Sequence, residues 1–218
     1  MPTERTLART AYDEIRAMIV DGELGRGTKM IVRVLSERLG LSATPIKSAL
    51  AALERDGFLV AVPHRGFYVP EIGLHDMLEI YELREALDGI ASRKVARTAD
   101  PATFVRTTLQ PLFDQQCERA AEGDLAGLRE LDNYFHRAIW HASGNGRLAQ
   151  VTDNLGGQIR LAWQVQASGG MQRALREHQA IMDAISAGDP DKAERAARAH
   201  VRRSVLAFEE AVRKAADD

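Results

Sequence analysis

The stretch TKMIVRVLSERLGLSATPIKSALAALERDGFLVAVPHRGFYV, residues 28–70, admits few folds because its apolar spacing and its breakers fall in a restrictive order. Leu35 and Leu39 give a first short helix its apolar stripe, and Gly40 ends that helix where a left-handed residue is favoured. Ser42 is placed to cap a second helix. Pro45 falls in its first turn, where a missing N–H costs no internal hydrogen bond. Ile46, Ala49, Leu50 and Leu53 recur at i, i+3, i+4 and i+7, so that face is expected to be buried. Thr44, Lys47, Ser48 and Ala51 take the opposite face, where short or cationic side chains suit an exposed helix entering a DNA major groove. Asp56-Gly57 ends the helix, and Phe58 to Val62 and Phe67 to Val69 alternate as short strands around Pro63-His64-Arg65-Gly66. The pattern predicts a winged helix-turn-helix. His64 and Arg65 at the wing tip are placed to reach the minor groove or phosphates, the alternative being a solvated turn.

Residues 5–21, with Ala8, Tyr12, Ile15 and Ile19 on one side, predict an amphipathic helix before this unit. Pro70-Glu71-Ile72-Gly73 follows the wing and sets the expected boundary, giving a DNA-binding domain over 1–72 and a second domain over 73–218. The second reads as helices at about 74–98, 101–121, 124–142, 146–167, 171–187 and 190–215, separated by Asp100-Pro101, Gly123-Asp124, Gly144-Asn145-Gly146, Gly169-Gly170 and Gly188-Asp189-Pro190. In the last break Gly188 suits a C′ position, Asp189 an N-cap and Pro190 the first helical residue. Short loops between helices imply an antiparallel bundle, so the fold class is mainly α.

Charge places the basic excess on the first segment. Residues 1–70 carry a formal +2 and residues 71–218 a formal −4, within a chain whose net charge is −2. No apolar run approaches the ~18 residues that a membrane span needs, and Met1 to Arg9 lacks a signal-peptide apolar stretch. A single cysteine, Cys117, excludes an intrachain disulfide. A cytoplasmic protein with no membrane partner is the expectation.

Chemistry concentrates in the bundle. Asp132 and His136 are four apart in RELDNYFHRAIW and share a helical face with Leu128, Phe135 and Ile139. His178 lies among Leu175, Ile181, Met182 and Ile185, and His200 on the stripe of Ala193, Ala196, Ala197 and Ser204. Three of the six histidines therefore fall on core-facing stripes of three helices, with a carboxylate beside one. Burying them costs desolvation unless something pairs them. They are either hydrogen-bonded core residues or ligands of one divalent ion, for which imidazole and carboxylate suit zinc, nickel, manganese or iron. Of the other histidines, His75 starts a helix and His141 lies off the face of His136. Trp140 and Trp163 read as core residues.

The first 70 residues resemble the N-terminal domain of GntR-type transcription regulators, from Tyr12-x-x-Ile15-Arg16 through Leu41-Ser42-Ala43-Thr44-Pro45 to Gly57-Phe58-Leu59. Arg33, Thr44, Lys47, His64 and Gly66 match positions that touch DNA in that family. Ala43 stands where the family commonly has Arg, and Lys47-Ser48 where it has Arg-Glu. Without that Arg a bidentate guanine reader is lost, so the family's usual operator is not implied. Residues 74–210 resemble the FCD effector domain of the FadR branch, on Glu82-Leu83-Arg84-Glu85-Ala86-Leu87, Asp132-x-x-Phe135-His136, Ala142-Ser143-Gly144-Asn145, Glu177-His178-Gln179-Ala180-Ile181 and Ala199-His200. The resemblance implies a homodimer and a divalent metal held by Asp132, His136, His178 and His200. The six-segment pattern looks more like that family's six-helix subgroup than its seven-helix one.

The resemblance also implies Arg84 as the cation facing a small carboxylic acid effector, with an i,i+4 pair to Asp88 as the competing role. Asn154 and Gln158 are further candidates for lining that site. The function expected is a transcription regulator that binds double-stranded operator DNA and responds to such an acid, and not an enzyme. A metal-dependent enzyme with an accessory winged domain is the alternative, but no further carboxylate or histidine stands as an evident general base and no HExxH pattern occurs. A metal-free interaction module is the third reading.

Overall fold

The computed structural model describes residues 4–162 and 171–217. It contains α1 (Glu4–Val20), α2 (Val32–Leu39), α3 (Ala43–Arg55), β1 (Val60–Val62), β2 (Gly66–Tyr68), α4 (Leu74–Val95), α5 (Pro101–Phe104), α6 (Gln110–Glu122), α7 (Leu125–Ala142), α8 (Gly146–Ala162), α9 (Met171–Ser186) and α10 (Pro190–Asp217). Two compact units result. One holds residues up to Gly73 with the part of α8 from Gly157, and the other holds Leu74–Gly156 with α9 and α10. Trp163, the expected extension of α8 to residue 167 and the Gly169-Gly170 break lie outside the described residues.

In the first unit the apolar periodicity becomes a core. Ile15 and Ile19 of α1 meet Leu35 of α2, Ile46, Ala49, Leu50 and Leu53 of α3, and Phe58 and Val69 of the wing. Gly40 closes α2 at φ 64. Ser42 occupies the N-cap position of α3, but its side chain makes no capping hydrogen bond. After α3, Gly57 at φ 78 lets the Phe58 N–H donate to the Leu53 carbonyl at 2.9 Å, which turns the chain into the wing. The strands pair antiparallel, Val60 with Tyr68 and Val62 with Gly66; β1 is shorter than the alternation alone suggests, and β2 starts one residue earlier. A Lys29–Tyr68 bridge adds a third partner that the sequence pattern does not reveal.

The wing turn stores strain. The Arg65 N–H donates to the Val62 carbonyl at 3.0 Å, with Pro63 and His64 at the two central positions. His64 has φ 62, a value that type II turns normally give to glycine or asparagine. A side chain held there costs roughly 1–2 kcal/mol.

In the second unit one core joins Ala91 and Val95 of α4, Phe135, Ile139 and Trp140 of α7, Leu148 of α8, Ile181, Met182 and Ile185 of α9, and Ala193 and Ala197 of α10. The helix expected over 101–121 is broken in a way the spacing does not show. Residues Val105–Leu109 form a π turn, in which the Gln110 N–H donates to the Val105 carbonyl. Pro111 explains it, because its ring lacks the N–H that an α turn would send to Thr107 and would crowd that carbonyl. The last turn follows expectation: Gly188 has φ 61, and the Asp189 carboxylate accepts from the Lys192 N–H at 2.9 Å. Among the described residues no helix is long and apolar enough to cross a membrane.

Candidate metal centre and nucleic-acid interface

The four residues singled out in the bundle meet. Asp132 and His136 come from one face of α7, His178 from α9 and His200 from α10, and one ligand atom of each lies within 4.8 Å of the others. Ring centroids are 5.2 Å apart for His136 and His178, 5.0 Å for His136 and His200, and 4.8 Å for His178 and His200. Asp132 Oδ1 lies 3.4 Å from His178 Nε2 and 3.8 Å from His136 Nε2. The three histidines are buried, while the Asp132 side chain keeps 39 % of its exposure, leaving the cluster open on that side.

Each imidazole has an acceptor beside Nδ1. His178 Nδ1 lies 2.9 Å from Gln116 Oε1, His200 Nδ1 lies 2.9 Å from Glu177 Oε2, and His136 Nδ1 lies 3.4 Å from Asp88 Oδ2. An acceptor at Nδ1 favours the Nδ1–H tautomer and leaves the Nε2 lone pair free. Nε2 of His136 and Nε2 of His178 are buried and without a hydrogen-bond partner. A buried unpaired nitrogen costs about 1–3 kcal/mol, and a cation among these atoms relieves that cost twice over. Burial foremost, with the neighbouring Arg84 guanidinium adding to it, holds both imidazoles well below their ordinary pKa range, so they stay neutral. Neutral nitrogens and one carboxylate form a donor set that fits a borderline divalent ion.

Asp88 anchors the wall behind His136. It accepts from Trp140 Nε1 at 2.6 Å and from Arg84 Nε at 3.2 Å. Arg84 is itself buried, and its guanidinium lies 5.6 Å from the Trp140 ring centroid. Of the two roles considered from sequence it takes the pairing with Asp88, and its charge also acts on Asp132. Asn154 is half-buried on α8. Gln158 is committed elsewhere, since its side-chain amide donates to the Asp56 carbonyl at 2.8 Å in the first unit. Sequence reasoning missed Gln116 and Glu177 and took Asp88 only as a partner for Arg84. The available signal for Gln116 was a polar residue at i+7 from Leu109 and i+3 from Phe113, on an otherwise apolar face.

In the first unit, Arg33, Thr44, Lys47, His64, Arg65 and Gly66 are all exposed. The buried face of α3 leaves Thr44, Lys47 and Ser48 on its outer side. Arg33 is loosely paired with Glu37 at 3.1 Å, with both side chains mostly in solvent. Short side chains and unburied cations on one helix and on the wing beside it are what groove and phosphate contacts require.

Known proteins agree with both halves. Residues 2–69 match the gntR family of bacterial regulatory proteins, and residues 79–203 match the FCD domain. The chain is 31% identical over 201 residues, 91% of its length and 87% of the relative's, to a protein of Paenarthrobacter nicotinovorans named a probable D-xylose utilization operon transcriptional repressor. It is 27% identical over 150 residues, 69% of its length and 67% of the relative's, to the Escherichia coli HTH-type transcriptional regulator McbR. The solved structure of E. coli McbR/YncC superposes with a TM-score of 0.77 at 21% identity, covering 96% of this chain and 99% of that one. With a winged unit bearing exposed cations on its outer helix, a second, helical unit and relatives that are regulators and not enzymes, the chain belongs to the GntR family and is a DNA-binding transcription regulator with an FCD domain.

Proposed function

We propose that operator affinity in this regulator is controlled by a small organic acid bound at a divalent metal held by Asp132, His136, His178 and His200. The observation that carries the reading is the pair of buried, unpartnered Nε2 atoms on His136 and His178, facing the Asp132 carboxylate. Bound there, the ion supplies Lewis acidity that anchors a carboxylate. The chain's own residues do the rest. Gln116, Glu177 and Asp88 hold the three rings by Nδ1, and Arg84 presents a buried positive charge beside Asp132. Protein ligands in this number leave room for an added oxygen donor on an octahedral ion.

Arg33, Thr44, Lys47, His64, Arg65 and Gly66 make the operator contacts in this reading, on domain boundaries of 1–72 and 73–218. The regulator acts in the cytoplasm as a homodimer, since one recognition helix reads little sequence and two-fold partners read half-sites about 34 Å apart. The acid changes operator binding only if it favours one DNA-competence state over the other.

The test is operator binding of zinc-loaded protein with a panel of carboxylic acids at fixed salt. One acid is expected to change the dissociation constant, and chelation to abolish its effect. An acid that binds the loaded protein while leaving the operator dissociation constant unchanged would sink the control mechanism for that ligand.

A further inference from the structure

A second polar site lies on the outer side of the α9–α10 pair. Arg173, Arg176 and Glu177 of α9, with Arg203 of α10, line a pocket of about 290 Å³ walled also by Ala180 and Ala196. Three guanidinium groups face one carboxylate, so the lining carries a net charge of +2. That carboxylate is already engaged, since Glu177 Oε1 accepts from Arg203 Nε at 2.5 Å and Oε2 lies 2.9 Å from His200 Nδ1. Arg173 Nε stands 3.7 Å from Glu177 Oε1, beyond hydrogen-bond reach. Arg176 is exposed and has no ion pair among the described residues. Like charges gathered around one satisfied acid repel one another unless an anion joins them. The two alanines leave room for one that is small.

We propose that this pocket binds a small doubly charged oxyanion, either a phosphoryl group or a short dicarboxylate, through Arg173, Arg176 and Arg203. Guanidinium forks match oxyanion geometry and carry the donors to hold several oxygens at once. The pocket is separate from the metal centre but shares Glu177 with it, because that carboxylate bridges Arg203 and the Nδ1 of His200. An anion that draws on Arg203 loosens its hold on Glu177 and changes how firmly His200 is positioned. This linkage, unlike the pocket itself, rests on the metal centre proposed above.

The experiment is calorimetric titration of the full-length, chelator-treated protein with inorganic phosphate and, separately, succinate, against chloride at matched ionic strength. Saturable one-to-one binding of one dianion is expected, and which of the two binds tells phosphoryl from dicarboxylate recognition. Arg176→Gln and Arg173→Gln, both at exposed positions, are each expected to weaken it about tenfold, the loss of a charge-assisted hydrogen bond. Arg147→Gln, an exposed arginine on α8, is the control expected to bind as the parent does. No saturation by either dianion, or an equal loss in Arg147→Gln, would overturn the pocket. Zinc affinity by chelator competition, with and without the bound dianion, then reads the linkage. A shift that vanishes in Arg176→Gln supports it, and an unchanged zinc affinity overturns it.

Discussion

Replacing Asp132 by Asn separates the metal centre from an ordinary buried cluster more cleanly than deleting a histidine does. The change keeps the side-chain volume, and the carboxylate is 39 % exposed, so the metal-free protein should lose no more than about 0.5 kcal/mol. His178→Ala would instead open a cavity and strand the Gln116 amide in the core, mixing a packing defect with the loss of a ligand. In the parent, metal at a hundredfold excess over its Kd adds RT ln(1 + [L]/Kd), about 2.7 kcal/mol. At about 2–4 °C per kcal/mol for a chain of this size, that raises the melting temperature by about 5–11 °C. Asn supplies no negative charge. A hundredfold loss of affinity, the upper end of what a lost outer-shell partner costs, brings the same metal concentration down to about its Kd. The added stability then falls to about 0.4 kcal/mol, a rise of about 1–2 °C. The assay is differential scanning fluorimetry of chelator-treated parent and Asp132→Asn with zinc, nickel, manganese and iron(II). A parent that fails to respond to any of the four ions refutes the metal reading, and an Asp132→Asn protein that keeps the full rise removes Asp132 from the site.

Gln116→Leu touches no ligand atom yet is expected to lower zinc affinity 10–100-fold in chelator competition, because it deletes the acceptor that fixes the His178 ring. Unchanged affinity would assign that role to the stacking of His178 on Phe135, whose centroids lie 4.3 Å apart. Lys47→Ala is expected to weaken binding to every DNA sequence and to reduce the salt slope by about one unit if Lys47 meets phosphate, whereas loss at a single base position in a binding-site scan would make it a base reader. For the chelated protein, folded His136 and His178 resist protonation while the unfolded chain accepts protons below its ordinary imidazole range. Stability should therefore decline as pH falls below about 6.5, by up to about 1.4 kcal/mol per pH unit for each histidine, and urea unfolding across pH 5 to 7.5 with a flat profile would contradict their buried, neutral state.

Local periodicity made most of the fold legible. The stripe of Ile46, Ala49, Leu50 and Leu53 and the breakers Gly40 and Gly188 each act within a turn or two of their own position, so their consequences follow from neighbours in sequence. The π turn before Pro111 follows from the same proline chemistry but leaves the apolar spacing nearly undisturbed, and a periodicity argument passes over it. The Lys29–Tyr68 bridge could not be seen at all, since an isolated bridge has no alternation to betray it. The acceptors behind the histidines were hidden for another reason. Gln116, Asp88 and Glu177 each serve a ring on a different helix, and polar residues of that kind are common on exposed faces. Gln158 shows the converse case, a polar residue expected to line the site whose side chain is instead committed to the Asp56 carbonyl.

The meeting of His178 and His200 was nevertheless available before any coordinates. Counted from Gly188, the middle of the turn between α9 and α10, His178 stands ten residues back and His200 twelve residues on. In an antiparallel helical hairpin, positions about equally far from the turn lie nearly level, here about 12 Å and about 15 Å from the helix ends at 1.5 Å per residue. Both also fall on the apolar stripe of their own helix, so they face inward at similar heights, and the rings stand 4.8 Å apart. The i,i+4 pair of Asp132 and His136 on α7 offers two groups one turn apart, which a third helix can supply to such a level pair without any distortion of backbone. A cluster drawn from hairpin symmetry and one helical repeat costs the fold little to assemble. What it leaves unmet is the pairing of two buried Nε2 atoms, and that deficit is the physical reason to expect an ion among them.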